Sequence, residues 1–292
     1  MGQSSEAWTA RHSANLQELV RVYWYDLCQT MRWGRVMWNR VSTHVLWRMT
    51  TAIGGAFVVV VVATDPAAAQ QRPDFLFGQP GHSIAIRGQW KQARAEGGVY
   101  DFVTDELTLE KNAFNAPGIA LDVGFTVTPR VELRTGIDFS SAFARSEFRE
   151  FTDTEGLPVE QDTRLRQVDI VGSMVFAIMP RGRAIGQYSY IPNPVVPYVG
   201  GGGGFLRYQF EQIGDFVDFS DLAIFGARLE SSAWTLSAHA FSGVDIRLTP
   251  NLFITGEARY VWADAELQRD FSRFDPIDLT GLRIGTGVRF VF

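Results

Sequence analysis

Cysteine is almost absent from this chain of 292 residues, because Cys28 is the only one. A single thiol can build neither a disulfide framework nor a cysteine-based metal site. The four histidines are widely spaced and form no HxH or HExxH motif. The sequence also lacks any run of about 18 apolar residues, so no helix clearly spans a membrane. These absences disfavour a disulfide-stapled domain, a zinc protein and a helical membrane protein, and we expect neither a metal ion nor a cofactor.

A short apolar run at residues 52–63 has the features of a secretory signal. Six arginines precede it within residues 1–48, and Ala67, Ala68 and Ala69 then give an A-x-A cleavage pattern. We place the cut after Ala69, so residues 1–69 are an N-terminal extension with a signal peptide, and residues 70–81 are a short lead-in. The extension is long for a signal, and Met31 and Met37 are alternative starts. The competing interpretation is a buried apolar strand of a soluble domain.

From residue 82 onward, apolar and polar side chains alternate in segment after segment. The last segment shows this most clearly, since Ile284, Val288 and Phe290 share one face while Arg283 and Arg289 lie on the other. Large apolar groups opposite arginine and glycine suit a barrel wall with lipid outside and a small polar interior. The eight predicted strands are 82–94, 117–127, 130–145, 164–178, 197–211, 234–248, 251–265 and 282–292.

The fifth segment carries the weakest alternation, because residues 200–204 are all glycine. We assign its large apolar and aromatic groups to lipid, and Arg207 and Gln209 to the lumen. The groups assigned to lipid are Tyr198, Leu206, Tyr208 and Phe210. Glycines remove side chains from both faces, which permits strong bending or the close approach of a neighbouring strand.

The predicted connections alternate in length. Short turns at 128–130 and 249–251 alternate with long polar connections at 97–115, 146–163, 212–232 and 266–276, whereas 179–196 is long on the short-turn side. The sequence therefore predicts an all-β fold over residues 82–292, an eight-stranded antiparallel up-and-down transmembrane β-barrel preceded by a signal peptide. A soluble barrel of lipocalin shape, with its apolar face inward, is the rival. Strands of about nine to eleven residues are long enough to favour lipid.

This alternation, together with the final Phe292, resembles the small eight-stranded outer-membrane barrels of the OmpA, OmpX and OmpW type. Local phrases such as Pro197-Tyr198-Val199-Gly200 carry the same resemblance. The resemblance implies a monomer in the bacterial outer membrane, surrounded by outer-membrane lipid and without a nucleic-acid partner. It also implies that Phe290 and Phe292 form an insertion signal read by the barrel-insertion machinery.

Charged residues occupy the predicted lumen face of nearly every strand. Since buried charges are tolerable only when paired and hydrogen-bonded, we expect a plugged core. The predicted charge network comprises Arg87, Asp122, Glu132, Arg134, Asp138, Asp169, Arg207, Asp245, Arg247, Glu257, Arg259, Arg283 and Arg289, with Lys91 on the same face. A narrow ion or solute path lined by Arg207, Arg259 and Arg289 is the alternative.

The predicted role is structural and surface-interacting, without enzymatic activity. The acidic connections 97–115 and 211–233 suit either divalent cations or a plain solvated surface. Apolar residues within 212–232 predict that this loop folds over the barrel mouth, where the OmpW resemblance implies a pocket for a small hydrophobic solute. A lipid A hydrolase is the least favoured function, because Phe241 stands where a His-x-Ser pair starting at His239 needs serine. Ser237 and Glu257 are the residues that might otherwise join His239.

Overall fold

Strands make up most of the part of the chain that this computed structural model describes, residues 75–152, 156–186, 188–218 and 223–292. In chain order they are β1 (Leu76–Phe77), β2 (His82–Ala93), β3 (Ala116–Thr126), β4 (Val131–Thr152), β5 (Pro158–Ala177), β6 (Gly182–Ile185), β7 (Ser189–Pro192), β8 (Val195–Asp218), β9 (Ala223–Arg247), β10 (Leu252–Trp262), β11 (Asp264–Ala265), β12 (Ile277–Asp278) and β13 (Gly281–Val291). The helix α1 (Gly98–Glu106) and two 3-10 turns, Lys111–Phe114 and Arg269–Phe271, lie in the connections. The predicted signal peptide and its cleavage after Ala69 lie outside the described residues.

Eight of these strands close into one antiparallel barrel in the order β10-β13-β2-β3-β4-β5-β8-β9. The last strand closes the ring, because β13 pairs with β2 from Gly281↔Ala93 to Val291↔Ser83 and with β10 on its other side. Neighbours in the wall are also neighbours in the chain, apart from the inserted short strands. The predicted eight-stranded, up-and-down, all-β fold is therefore confirmed. No helix of the described residues is long and apolar enough to cross a membrane.

The outer face of the wall carries an unbroken apolar band. Strand pairing places one exposed apolar side chain of each strand directly beside the next, through seven successive pairings. This row is Ile254, Val288, Ile86, Leu121, Ile137, Ile170, Phe205 and Leu236, whose exposed fractions run from 39% to 71%. The lipocalin-like rival needs its apolar face inward, and the wall has the opposite polarity. A continuous exposed band of this kind is the lipid-facing surface of a transmembrane barrel.

The assignment of faces on β8 was wrong. Tyr198, Leu206, Tyr208 and Phe210 are almost fully buried in the interior, and Arg207 lies on the outer wall. Two causes explain the error. The glycines at 200–204 erase the alternation, and a buried tyrosine can hydrogen-bond through its hydroxyl, so an aromatic ring does not have to face lipid. Glycine on the inner face also allows close packing, since a Cβ on Gly200 would lie 2.4 Å from the Phe241 ring.

Four strands continue far beyond the other four at one end of the barrel. β4, β5, β8 and β9 have 20 to 25 residues, against 11 or 12 in the remaining barrel strands. The predicted loops 146–163 and 212–232 are therefore largely paired strand arms, running for example from Gln212↔Leu229 to Asp218↔Ala223. Backbone pairing joins the two arms of 212–232 as a hairpin in which Phe216, Val217 and Leu229 are buried, and its folding over the mouth stays a prediction.

An apolar cap fills the barrel where these long arms project. The helix α1 buries Val99, Tyr100 and Val103, spaced on one helical face, and the 3-10 turn at 269–271 inserts Phe271 against Phe210 with ring centroids 5.1 Å apart. Other buried members come from the arms and connections. They are Leu107, Leu109, Phe114, Val159, Leu165, Leu229, Leu267, Ile277 and Leu279. The connections predicted as polar loops thus contribute a hydrophobic core.

A three-stranded sheet of order β1-β7-β6 lies at the opposite end and is built mainly from the long connection 179–196. It is tied to the barrel by backbone hydrogen bonds, including one from the N–H of Arg181 to the carbonyl of Pro129 at 3.2 Å. The N–H of Asn193 in turn donates to the carbonyl of Arg181. These bonds fix the position from which the Arg181 side chain enters the lumen.

Candidate functional site

The candidate site is the interior of the barrel at membrane depth, where alternate residues of the wall converge. At the end nearest the three-stranded sheet, Glu132 and Asp245 share two arginines, Arg181 and Arg289. Asp245 Oδ2 lies 2.8 Å from Arg289 Nη1 and 2.9 Å from Arg181 Nη1. Glu132 Oε2 also contacts Arg289, and lies 3.2 Å from Arg181 Nη2. Arg181, from the connection after β5, therefore closes the lower end of the lumen.

Glu257 is the centre of the middle layer. Its Oε2 accepts hydrogen bonds from Arg87 at 3.0 Å and Arg134 at 2.8 Å, and its Oε1 accepts from Arg259 at 2.8 Å. The Tyr198 hydroxyl donates to the same carboxylate at 3.1 Å. Three guanidinium groups and a phenol on one carboxylate supply the dense hydrogen bonding that a buried charge requires.

The upper layer is built around Asp138, whose Oδ2 lies 3.0 Å from Arg259 Nη1 and 3.1 Å from Arg283 Nη1. Arg283 also approaches Asp169 at 3.2 Å. Above it, the Lys91 ammonium donates to Gln167 and, at 3.3 Å, to the carbonyl of Leu279. The cap begins at this level, so the interior side chains change from charged to apolar just above Lys91.

Shared partners join these layers into one continuous network of twelve charged side chains. Its members are Arg87, Asp122, Glu132, Arg134, Asp138, Asp169, Arg181, Asp245, Glu257, Arg259, Arg283 and Arg289. Six of them are acidic and six are basic, so the network is formally neutral. All but Arg181 have side chains no more than about one-twentieth exposed. An interior filled in this way leaves little room for a passing solute.

The structure places eleven of the thirteen predicted network residues in the interior. Arg207 is a correction, because the phase of β8 puts it outside, with its guanidinium carbon 5.9 Å from the Trp234 ring centroid. Arg247 lies half-buried at the lower rim, where its Nη1 donates to the carbonyl of Pro192. Sequence reasoning missed Arg181 as a member of the network and Tyr198 as a hydrogen-bond donor to it. The unusual length of 179–196 was the only signal for the first, and no signal pointed to the second.

His239 does not form a hydrolytic triad. Its Nε2 lies 2.8 Å from the Ser173 hydroxyl, a partner that sequence spacing did not suggest. Its Nδ1 has no hydrogen-bond partner among the described residues, whereas a triad needs an acid there. Ser237 instead donates to Asp169 Oδ1 at 2.9 Å. Within the described residues, no group of three or more His, Cys, Asp or Glu side chains could hold a metal ion.

A small cavity of about 30 Å³ lies at the lower end of the lumen beside Arg181, Asp245 and Arg289. The carboxylate Oδ1 of Asp245 and the Nε atoms of both arginines have no protein partner there among the described residues. Its volume suits one or two ordered waters, which are the usual partners of such atoms. At about 30 Å³, the cavity is too small for a hydrophobic solute.

No family model matches this chain, and no curated protein matches it. Among solved structures, it is similar to Neisserial surface protein A (14% identity, TM-score 0.38, covering 75% of this chain and 98% of that one). It is also similar to Ail, the attachment invasion locus protein of Yersinia pestis (18%, 0.36, 73% and 100%). A third is the outer membrane protein OprG from Pseudomonas aeruginosa (10%, 0.42, 74% and 99%). Identities and TM-scores this low carry no function over to this chain.

Proposed function

We propose that this protein is a sealed outer-membrane barrel that presents a folded structure at the cell surface and conducts no solute. The observation that carries the proposal is the combination of a neutral ion-pair network across the whole lumen with an apolar cap above it. Either the network or the cap alone would block a solute that enters the barrel, and here the cap lies above the network. The exposed apolar band supports a membrane position, because such a band is costly in water.

The surface role follows from where the chain extends beyond the band. In the part of the chain that the structure describes, the β4–β5 and β8–β9 hairpins and the connections that form the cap project at one end, whereas the other end carries short turns and a small sheet. Outer-membrane barrels place their long connections outside the cell. The two long hairpins are therefore the surfaces offered to other molecules. Insertion by the barrel-insertion machinery, with Phe290 and Phe292 as its signal, and a monomeric state are parts of the same proposal.

The proposal excludes enzymatic activity, and the isolated His239–Ser173 pair supports that exclusion. The pair is enclosed in the lumen and lacks an acid on Nδ1, so nothing orients the imidazole as a general base. Expression of the protein in a host with lipid A should leave the lipid A mass spectrum unchanged. A new deacylated or modified species that disappears in His239→Ala would overturn this part of the proposal.

Epitope tags test the placement and the orientation together. A tag inserted after Gly156, at the far end of the β4–β5 hairpin, should bind antibody on intact cells. The matched control is a tag after Gly186, in the β6–β7 turn at the other end of the barrel, which should bind only after the outer membrane is permeabilised. Folding is checked by heat-modifiable migration on gels. Equal labelling of both tags on intact cells, or a folded protein in the soluble fraction, would contradict the proposal.

A further inference from the structure

Two arginines on the outer wall lie just above the apolar band. Arg166 faces outward on β5 and Arg207 faces outward on β8. Arg166 lies opposite Gln209, and Arg207 lies opposite Val168, so the two arginines are diagonal neighbours in the ladder. Diagonal neighbours in a sheet are about 7–8 Å apart. Two long guanidinium side chains at that spacing can reach one small anion together.

Three other arginines on this part of the wall are paired with carboxylates, and these two are not. Arg145 Nε lies 3.1 Å from Asp162 Oδ1, while Arg164 and Arg228 both approach Glu211. Neither Arg166 nor Arg207 forms an ion pair with any residue that the structure describes. The wall therefore presents two adjacent positive charges that its own carboxylates do not neutralise.

The height of the pair matches the headgroup level of a bilayer. Arg207 lies twelve residues beyond Val195, the lower end of β8. That is about 40 Å along the strand, or about 30 Å across the membrane at the usual barrel tilt, against an apolar band of about 25 Å. The next outward row below is apolar, with Ile170, Phe205 and Leu236 side by side, and Trp234 lies directly opposite Arg207, with its ring centroid 5.9 Å from the guanidinium carbon. Tryptophan is enriched at the membrane interface, where its ring lies at the headgroup level.

We propose that Arg166 and Arg207 together bind the phosphate of an anionic lipid headgroup in the outer leaflet. Guanidinium groups bind phosphate through charge-assisted, often bidentate hydrogen bonds. The polar neighbours Gln209 and Ser141 flank Arg166 and offer further hydrogen bonds. The free-energy cost of an arginine on the lipid face falls towards zero near the interface, so its position is tolerated there. This inference rests on the proposed membrane position of the barrel.

Native mass spectrometry of the full chain, folded in detergent micelles, tests the site with dioleoyl phosphatidic acid and dioleoyl phosphatidylcholine as probes. The wild type should bind phosphatidic acid about tenfold more tightly than phosphatidylcholine. In R166Q/R207Q this preference should fall to about twofold or less. Excess inorganic phosphate should not displace the lipid, because free phosphate lacks the acyl chains that lie on the band. Displacement by inorganic phosphate would overturn the assignment to a lipid.

The matched control is R145Q/R228Q, which removes two positive charges from the same wall but only from paired arginines. This variant should keep the preference for phosphatidic acid, and an equal loss in both variants would overturn the specific role of Arg166 and Arg207. If the double variant does not fold, R166Q and R207Q alone should each lower the preference about threefold. A folded, heat-modifiable wild type without any preference contradicts this inference alone. A chain that never shows heat-modifiable migration contradicts the membrane barrel itself.

Discussion

The lumen at membrane depth and the cap above it are filled with opposite chemistry. In the lumen, Glu257 lies among Arg87, Arg134 and Arg259, within the network of twelve charged side chains. In the cap, Phe210 and Phe271 pack edge to face within a cluster of buried apolar side chains. The same strands, β8 and β9 among them, pass through both regions.

The difference follows from what surrounds the wall at each level. Within the bilayer, apolar side chains on the outer face already find an apolar environment, so the narrow interior is left to polar groups that satisfy one another. Above the bilayer the outer face meets water, and the projecting arms are stable only if they bury apolar surface between them. The interior of the barrel is therefore charged at membrane depth and apolar above it.

The largest effect should come from breaking the centre of the lumen network. Glu257→Gln leaves three buried guanidinium groups without their shared negative charge, and removing one partner of a buried pair typically costs about 3–5 kcal/mol. Urea unfolding in lipid vesicles, followed by heat-modifiable migration, measures the change. Glu147→Gln is the control, since that side chain is exposed on the outer face of β4. Equal stability of both variants would mean that the network does not hold the lumen together.

A large but local effect should come from the cap. Phe271→Ala removes a ring buried against Phe210, and such truncations typically cost about 3–5 kcal/mol. Because the transmembrane wall is paired independently of this residue, the loss should appear as faster amide exchange and proteolysis in α1 and the upper connections. Exchange in β2 and β13 should stay unchanged. Equal acceleration throughout the barrel would show that the lumen and the cap unfold as one unit.

Two tyrosines allow a smaller, matched comparison of the regions. The Tyr198 hydroxyl donates to the ionised Glu257, whereas the Tyr208 hydroxyl donates to the carbonyl of Glu266 at 2.7 Å, a neutral acceptor. Hydrogen bonds to charged groups contribute about 1.5–3 kcal/mol and neutral ones about 1 kcal/mol. Tyr198→Phe should therefore lower the free energy of unfolding more than Tyr208→Phe. The reverse order would contradict the distinction between an ionic lumen and an apolar cap.

The smallest predicted effect is a pH dependence confined to the cap. Burial raises the pKa of Asp278, but hydrogen bonds from Arg94 and Thr280 outweigh it and hold the pKa below the ordinary aspartate value. A lowered folded-state pKa stabilises the fold above the unfolded pKa of about 4, and that stabilisation is lost as pH falls through the folded value. The protection of amides around β12, measured relative to their intrinsic exchange rate at each pH, should decrease in acid for the wild type. Asp278→Asn should flatten this response, and an unchanged response would exclude Asp278 as its source.

Period-two alternation was enough to predict the barrel and the faces of seven strands, because each strand has one side in lipid and the other in a crowded interior. Alternation failed on β8, because five glycines there have no side chains to alternate and because the Tyr198 hydroxyl hydrogen-bonds to Glu257 in the interior. It also placed Arg207 inside, because it treated every charge as a lumen group. Arg181 was out of reach, since its role depends on how a connection folds back beneath the barrel. The segments 146–163 and 212–232 were predicted as loops, because their pairing depends on partner strands and leaves no clear alternation in the sequence.

The central claim, that the lumen is sealed, is tested most directly by single-channel recording of the purified barrel in a planar lipid bilayer. The account predicts a quiet bilayer, with no conductance steps after insertion has been verified by heat-modifiable migration of the recovered protein. Discrete, reproducible steps from the folded wild type would contradict it, because ions would then be crossing a network in which Glu132, Glu257 and Asp138 are all engaged by arginines.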